Sequence, residues 1–270
     1  NDLQTIKNLN YIPVGLGKKK FSKEWLLDNS HENISFKNKW YSELTFHYWF
    51  WKNELKNIDT NTWVGFCAYR DYWANEDKYF DYKKNINKNT NVKNYDFHKI
   101  NELVLKNIPS LWDDHDSVIG EKINLSEMKL IKVIKYGKIS LLRNPKAIFK
   151  KGRSIRWHFD MHHGNGNLDK AIELLEDSEK KDFDFYVRNE TSFHRGCMFI
   201  SKSKSQIDKF YKSLFPWLER CEKIFGFEDV EYSKIRMYAY LAERYMSYWF
   251  LKYSKPIIWP IISLKIPRKS

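Results

Sequence analysis

The stretch Thr62-Trp63-Val64-Gly65-Phe66-Cys67-Ala68-Tyr69-Arg70-Asp71-Tyr72-Trp73 decides how the rest of the chain is interpreted. Its apolar run is long enough for one buried strand and too short for a globular helix. The run places a Tyr-Arg-Asp-Tyr cluster at its carboxyl end, which is where open α/β sheets bind ligands. The guanidinium of Arg70 can donate two parallel hydrogen bonds to a phosphate or a carboxylate. The carboxylate of Asp71 can ligate a metal or accept a proton. The alternative interpretation is that Arg70 and Asp71 form a structural ion pair on the surface, flanked by aromatic residues of the core.

Length and composition indicate a folded protein. The 270 residues suffice for a substantial core, and we expect one domain over residues 1–270 rather than two small ones. The sequence contains 11 tryptophans, 17 tyrosines and 18 phenylalanines, and this high aromatic content argues against disorder. Cys67, Cys197 and Cys221 lie far apart without C-x-x-C spacing, which indicates neither a disulfide framework nor a zinc ribbon. We therefore expect a reducing, cytoplasmic setting, without a signal peptide or a membrane-spanning run.

The net charge of +13 calls for a partner or surface of opposite sign. Nucleic acid, anionic lipid headgroups and phosphorylated substrates all qualify. The lysines are scattered among asparagines, and no zinc finger, basic-region heptad or RNP signature occurs, so we expect no specific nucleic-acid partner. The tail from Pro256 to Ser270 is an apolar strand or surface strap with a basic end. It predicts either peripheral contact with a membrane or a plain docked terminus.

A helix is predicted before the opening stretch. Apolar and aromatic residues recur at positions 44, 47, 48 and 51, which predicts a buried amphipathic helix over residues 40–53, capped near Ser35. Glu43 lies beside this stripe, either as a paired helix-face charge or as a carboxylate directed into a site.

Later elements follow from local pattern. Alternation from Lys129 to Leu142 predicts one or two strands that turn at Gly137. The segment 83–94, rich in lysine and asparagine, predicts an exposed loop. The remaining predicted helices cover residues 96–107, 168–178, 206–225 with a kink or break at Pro216, and 232–253.

A histidine-rich segment precedes one of these helices. His158 and His162 stand four apart with Asp160 between them, which gives a metal-binding face if the segment is helical. No His-Glu-x-x-His pattern occurs, which argues against a zinc hydrolase. Histidine at a helix entrance suits an anionic group or a sugar hydroxyl better.

Two further polar clusters are candidates for the site. His194 and Arg195 lead into an apolar run. Gly196, which follows Arg195, allows close backbone approach to a ligand. Glu243 and Arg244 are adjacent in the last long helix. They form either a local ion pair or a carboxylate and a guanidinium that face a substrate.

Four blocks of sequence carry a family resemblance. They are Tyr11-Ile12-Pro13-Val14-Gly15, Asn33-Ile34-Ser35-x-Lys37-Asn38, Tyr41-Ser42-Glu43-Leu44-Thr45-x-x-Tyr48-Trp49-x-Trp51-Lys52-Asn53 and Val64-Gly65-Phe66-Cys67-Ala68-Tyr69-Arg70-Asp71-Tyr72. In that order and spacing they resemble a bacterial glycosyltransferase family of capsule and exopolysaccharide gene clusters, long known only as a domain of unknown function. Later marks extend the resemblance over nearly the whole chain: the segment ending at His162, Met198-Phe199-Ile200 with Trp217-Leu218, and Arg236 through Leu241-Ala242-Glu243-Arg244.

The resemblance implies an α/β, GT-A-like nucleotide-sugar-binding fold: a central mixed sheet flanked by helices, with a helical C-terminal part at about residues 202–255. It also implies a nucleotide-sugar donor, a UDP-sugar first of all, and transfer to a glycan or lipid-linked glycan acceptor at the inner face of the membrane. The sequence departs from the family in two places. Residues 1–10 are polar and predict a loop or a fraying helix instead of the opening strand that the family places before Tyr11, and the family's His-Tyr-Arg-Arg-Tyr is Ala68-Tyr69-Arg70-Asp71-Tyr72 here.

The combined hypothesis is a glycosyltransferase. Direct attack by an acceptor hydroxyl requires a carboxylate or imidazole within hydrogen-bond reach, and the leaving diphosphate requires a cation. Asp71 contacts the donor ribose, the sugar or a divalent ion, Mn²⁺ or Mg²⁺. The candidate catalytic residues are Asp71, His162, His194 and Glu243. The candidate donor-binding residues are Asn38, Glu43, Tyr69, Arg70 and Arg244. The rival is a non-catalytic glycan- or nucleic-acid-binding module that stacks ligands on its aromatic side chains.

Overall fold

The computed structural model of the chain describes residues 3–85, 94–95, 100–227 and 235–264. The helices there are α1 (Leu3–Asn8), α2 (Asn38–Tyr41), α3 (Leu44–Trp49), α4 (Glu76–Asn85), α5 (Ile100–Leu103), α6 (Leu130–Tyr136), α7 (Lys138–Arg143), α8 (Ile155–His163), α9 (Asn167–Ile172), α10 (Asp177–Asn189), α11 (Lys204–Phe225) and α12 (Met237–Tyr253). The strands are β1 (Val14–Gly15), β2 (Leu26–Leu27), β3 (Val64–Gly65), β4 (Asp71–Trp73), β5 (Asn94–Tyr95), β6 (Ser117–Ile119), β7 (Lys122–Asn124), β8 (Ser192–His194), β9 (Phe199–Ser201), β10 (Pro256–Ile258) and β11 (Ile261–Leu264).

The largest sheet is mixed and has the strand order β10-β6-β9-β3. β10 and β6 are parallel, whereas β9 runs antiparallel to both β6 and β3. A second sheet has the order β4-β11-β5, and two more pairs, β1-β2 and β7-β8, complete the strands. The predicted α/β class with a mixed sheet is therefore confirmed. One domain over residues 1–270 stays a prediction.

The main core lies between this sheet and the C-terminal helices. α11 and α12 pack on each other, and Phe199 of β9 meets Phe210 and Phe250 at ring-centroid distances of 5.5 and 4.8 Å. Trp217 of α11 is fully buried, and its Nε1 donates to the carbonyl of Ala171 at 2.7 Å. α11 and α12 supply the helical C-terminal part that the resemblance implies. Among the described residues, no helix combines the length and apolarity needed to cross a bilayer.

The prediction of strands over residues 129–142 is wrong. α6 and α7 occupy the segment and meet at Gly137, where an added Cβ would lie 2.5 Å from the carbonyl oxygen of Val133. Val133 of α6 is buried with Ala147 and Trp157, and Leu141 of α7 packs against this cluster. Short apolar runs fit helix and strand alike, and here tertiary packing selects the helix.

Two elements around the opening stretch also differ from expectation. The apolar run does not form one strand: β3 and β4 lie in different sheets, and Phe66 to Arg70 connect them. The helix predicted over 40–53 is interrupted at Ser42, whose φ is +53°, and ends in a π-helical turn at Phe50–Glu54. Its start carries no side-chain cap from Ser35; instead the Asn33 carboxamide oxygen accepts from the Ser35 backbone N–H at 3.2 Å.

Several predicted elements reach beyond the described residues. α4 extends into the predicted loop at 83–94, of which 86–93 are not described. Of the helix predicted over 96–107, the structure shows α5, and 96–99 are not described. Of the helix predicted over 232–253, the structure shows α12 from Met237, with Arg236 as its N-cap, and 232–234 are not described. The helix at 206–225 is present as α11, with Pro216 inside it. The helix predicted over 168–178 is not continuous, because α9 ends at Ile172 and α10 begins at Asp177.

The described part of the C-terminal tail is docked on the protein, because β10 and β11 pair within the sheets.

The Trp217 contact provides a stability test. We expect Trp217→Ala to lower the free energy of unfolding by about 3–5 kcal/mol, because it opens a cavity and leaves the Ala171 carbonyl without its donor. Urea unfolding measures the change. Phe185→Ala, at a side chain that is 70% exposed on α10, is the matched control and should change the same quantity by less than about 0.5 kcal/mol. Equal effects at both positions would contradict the described core.

Candidate functional site

A cavity of about 190 Å³ lies where the two larger sheets approach each other. Its wall comes from the β3–β4 connection, the β8–β9 turn and one face each of α3 and α12. Of the described residues, five charged side chains line it: Glu43, Arg70, Asp71, Arg195 and Glu243. All five are named above as candidates for the site, so the structure brings together segments that are up to 200 positions apart in sequence. The Tyr-Arg-Asp-Tyr cluster therefore borders a cavity.

Asp71 and Arg195 form the ion pair that joins the two sheets. Nη2 of Arg195 lies 3.2 and 3.3 Å from the two carboxylate oxygens of Asp71. Nη1 of the same guanidinium donates to the Ser263 hydroxyl at 3.0 Å, and that hydroxyl donates to Asp71. Ser263 stands opposite Asp71 in the β4–β11 register, whereas Arg195 lies in the turn before β9. Because Asp71 is buried, this pair is shielded from solvent more than a surface pair would be.

Glu243 holds the same turn from the helical side. Gly196 has a φ of +67°, and its N–H donates to Oε1 of Glu243 at 2.6 Å. A residue with a side chain would be strained at this φ, which explains the glycine. The other oxygen of Glu243 pairs with Arg244. Glu243 is therefore both a member of a local ion pair and a wall of the cavity.

Arg244 lies behind the cavity rather than in its lining. Its guanidinium is buried, stands 4.3 Å from the centroid of the Phe193 ring and donates to the Tyr240 carbonyl at 3.2 Å. One of its nitrogens also lies 3.4 Å from Nδ1 of His158. Arg244 thus orients Glu243 and connects the cavity to α8.

Glu43 and Arg70 are the unpaired charges of the cavity. Within the part of the chain that the structure describes, neither side chain has a hydrogen bond or an ion pair. Glu43 lies at the start of α3, one helical turn before His47, which also lines the cavity. Arg70 is exposed at the opening, with its guanidinium 5.7 Å from the centroid of the Tyr69 ring. Tyr69 itself is 67% exposed beside the opening.

The two predicted catalytic histidines lie outside the cavity lining. His194 is buried, with Nδ1 2.6 Å from the Gly120 carbonyl; its neighbours Arg195 and Gly196 line the cavity instead. His162 lies on α8, where its ring is 4.7 Å from that of His158. Both histidines lie inside α8, with His162 in its last turn, so the placement at a helix entrance is wrong, whereas the helical spacing of the alternative is present.

Asn38 also lies outside the lining. Its amide donates to the Ser42 carbonyl at 2.9 Å and to the Thr45 hydroxyl at 3.2 Å, so it supports the junction between α2 and α3.

The donor set gives a poor fit for a resident divalent cation. Among the described residues, no three His, Cys, Asp or Glu side chains converge on a common point that a metal could occupy. Both oxygens of Asp71 already accept from Arg195, and a cation would have to displace this guanidinium. The positive groups that the cavity itself offers an anion are Arg70 and Arg195.

Sequence reasoning missed two groups. His47, treated only as part of an apolar stripe, lines the cavity; its position four residues after Glu43 is the signal that could have found it, because such residues share a helix face. Glu121 was not considered. Burial raises the pKa of its carboxyl to about 7, Arg195 opposes this rise, and the Glu121 carbonyl accepts from the Arg195 backbone N–H at 3.2 Å.

Burial keeps the inner histidines neutral near pH 7. It lowers the pKa of His47 to about 3 and that of His194 to about 4. His47 places Nδ1 2.8 Å from the Tyr211 hydroxyl, and its ring lies 4.3 Å from the Phe66 ring. Groups with such low pKa values are weak bases, so the carboxylates are the better proton acceptors of this site.

These shifts make stability depend on pH. The unfolded chain binds protons at these histidines below about pH 6.5 whereas the folded chain does not, so the stability that these two histidines contribute is present above that pH and is lost as the pH falls below it. We expect His194→Asn, which keeps an amide donor for Gly120, to reduce the slope between about pH 5 and 6.5 by about 1 kcal/mol per pH unit on average. Urea unfolding across this range measures the slope. Exposed His31→Asn is the control, and a slope unaffected by His194→Asn would contradict the buried neutral imidazole.

The comparisons with known proteins agree with this architecture. Residues 1–254 match the model of the family described as a domain of unknown function, DUF4422, and the chain belongs to that family. The fold is similar to an apo structure of WbbM, a bifunctional glycosyltransferase, with a TM-score of 0.63 and 20% sequence identity. The match covers 90% of this chain and 40% of the WbbM chain. No curated protein matches the sequence.

Proposed function

We propose that the chain is a glycosyltransferase that moves a sugar from a nucleotide-sugar donor, a UDP-sugar first of all, to a glycan or lipid-linked glycan of a capsule, exopolysaccharide or lipopolysaccharide. The observation that carries the proposal is the charge arrangement of the cavity. Arg70 and Arg195 supply positive charge, and an unpaired carboxylate, Glu43, lines the same cavity. The fold likeness to WbbM supports the same class of reaction.

The size of the cavity supports one division of the proposed donor between cavity and surface. A volume of about 190 Å³ is below the roughly 300–1,000 Å³ of pockets that enclose a drug-sized ligand. The sugar ring therefore occupies the cavity, and the nucleotide lies across the opening. There the diphosphate meets the Arg70 guanidinium, and the exposed Tyr69 ring offers a stacking surface for the nucleotide.

Glu43 is the best-placed general base. Of the three carboxylates that line the cavity, Asp71 is bonded to Arg195, and Glu243 to Gly196 and Arg244. Glu43 alone, among the described cavity carboxylates, has both oxygens available.

The reaction follows from these positions. The acceptor hydroxyl oxygen attacks the anomeric carbon of the donor sugar, and its proton passes to Glu43. The bond from that carbon to the diphosphate oxygen breaks, and the nucleoside diphosphate leaves with the electron pair. Arg70 and Arg195 stabilise the charge that develops on the leaving group. Asp71 and Glu243 act as positioning residues that hold Arg195 and the β8–β9 turn.

Donor binding is the first test. We expect a panel of UDP-, GDP- and CMP-sugars to contain a member that raises the melting temperature, because a ligand at 100 times its dissociation constant stabilises the fold by about 2.7 kcal/mol. Arg70→Ala should abolish most of this shift, since it removes the exposed cation at the opening. Arg143→Ala, at another exposed arginine on α7, is the matched control. Repeating the panel with manganese tests the predicted Mn²⁺ or Mg²⁺ requirement.

The rival binding module predicts a different pattern. If no nucleotide-sugar shifts the melting temperature, with or without manganese, while a polyanion shifts it in a salt-sensitive way, the transferase proposal is wrong.

The base is tested separately. We expect Glu43→Gln to lower the transfer rate by about 10²–10⁴-fold while the donor still raises the melting temperature, because the amide cannot take the proton. Exposed Glu219→Gln is the control for the loss of one charge. A Glu43→Gln variant with full transfer activity would remove Glu43 from this role.

A further inference from the structure

A strongly basic segment connects the β7 region to α8. From Lys129 to Arg156 the sequence contains ten Lys or Arg residues and no Asp or Glu. Six of these cations are exposed in the structure: Lys129, Lys135, Arg143, Lys146, Lys150 and Lys151. A solvated surface normally mixes both signs of charge, so this segment is a local field of one sign.

The same segment exposes aliphatic and aromatic side chains. Seven of the 17 exposed large hydrophobic residues that the described chain contains fall between positions 130 and 149. They are Leu130 (46%), Ile131 (79%), Ile134 (52%), Ile139 (62%), Leu142 (84%), Ile148 (48%) and Phe149 (72%). Together with the six exposed cations they form what we call the basic apolar patch. Clustered exposed apolar residues mark interaction surfaces, whereas single ones do not.

The patch is built on a fixed support. Val133, Ala147 and Trp157 form a buried cluster beneath it. The buried Arg153 guanidinium donates to four backbone carbonyls, at 2.7 Å to Met128, 3.0 Å to Ser126, and 3.1 Å to both Ala147 and Ile148. Ser126 and Met128 precede α6, and Ala147 and Ile148 follow α7, so these bonds tie together the two ends of the segment that carries the patch.

We propose that the basic apolar patch docks this protein on an anionic lipid bilayer. Its aliphatic side chains enter the boundary between headgroups and acyl chains, and its cations pair with anionic headgroups. Charge complementarity selects this occupant. A second copy of the chain that bound through the same patch would bring a surface of the same sign against it. A nucleic acid would pair with the cations but leave the aliphatic side chains in water, and among the described side chains of the patch Phe149 alone offers an exposed aromatic ring for a base to stack on.

The patch is linked to the cavity through one helix. α7 packs against α8, and His158 of α8 contacts Arg244, which orients Glu243 in the cavity wall. Docking through the patch therefore sets α8, and with it the cavity, at a fixed position relative to the membrane. A fixed position relative to the bilayer is what transfer to a lipid-linked acceptor requires, a point that rests on the proposed function. The docking itself does not depend on any transfer activity.

The test is co-sedimentation of the full chain with vesicles. We expect binding to phosphatidylcholine vesicles that contain about 30% phosphatidylglycerol, weakening as salt is raised, and little binding to phosphatidylcholine alone. The triple variant Ile131→Ser, Leu142→Ser, Phe149→Ser should bind at least about tenfold more weakly, because each change removes apolar surface from the lipid boundary. The triple variant Lys146→Glu, Lys150→Glu, Lys151→Glu should lose binding to a similar extent.

Matched controls separate the patch from general properties of the chain. Phe185→Ser, Ile224→Ser, Leu251→Ser removes three exposed apolar residues elsewhere, and Lys181→Glu, Lys209→Glu, Lys223→Glu changes the net charge equally. Both controls should bind vesicles much as the parent chain does. Circular dichroism and the melting temperature confirm that each variant is folded.

Three results would overturn the proposal. The parent chain does not bind anionic vesicles, the serine variant of the patch binds as well as the parent, or the control charge variant loses as much binding as the patch variant. Binding of a single-stranded oligonucleotide that requires the patch lysines but not its apolar residues, without vesicle binding, would assign the surface to nucleic acid instead.

Discussion

The ion pair between Asp71 and Arg195 is the contact on which the site depends. Asp71 belongs to the β4-β11-β5 sheet, and Arg195 lies in the turn that leads into β9 of the larger sheet. The pair therefore connects the smaller sheet to the turn before β9, and both partners line the cavity. The Ser263 hydroxyl completes the contact from β11. Because the pair is largely buried, removing either partner would leave a charge without a counterpart, which is far more costly than the loss of a surface pair.

The remaining charges of the cavity follow from this arrangement. Glu243 stabilises the same turn through the Gly196 N–H, and Arg244 neutralises its other oxygen from behind. Asp71 and Glu243 are thus committed to structure, whereas Glu43 and Arg70 have no partner among the described residues. A site with one available base and one available cation matches the needs of sugar transfer from a diphosphate. The paired groups supply preorganisation, since the charges that act on the reaction need no rearrangement.

Several residues that sequence reasoning selects line one cavity, although their roles stay predictions. Arg70 and Asp71 were selected because they follow an apolar run, Glu43 because it lies beside a helix stripe, and Glu243 because it is adjacent to Arg244. The pairing of Asp71 with Arg195 could not be predicted, because it depends on how two sheets meet across 124 residues. His194 is a predicted catalytic residue that the structure places outside the cavity lining. Its sequence neighbours suggest a catalytic role, but its side chain is buried and contacts the Gly120 carbonyl. The segment 129–142 was predicted as strands because its apolar residues alternate in places, and the packing of Val133 decides for helices.

The central claim is that the sugar of a nucleotide-sugar occupies the cavity, with its diphosphate at Arg70 and Arg195. Crystals of the protein soaked with the donor that most raises the melting temperature test this most directly. The account predicts difference density for the diphosphate within hydrogen-bond distance of both guanidinium groups, and a sugar ring beside Glu43. Density for the donor at any other surface, with the cavity between Asp71 and Glu243 still filled by solvent, would contradict it.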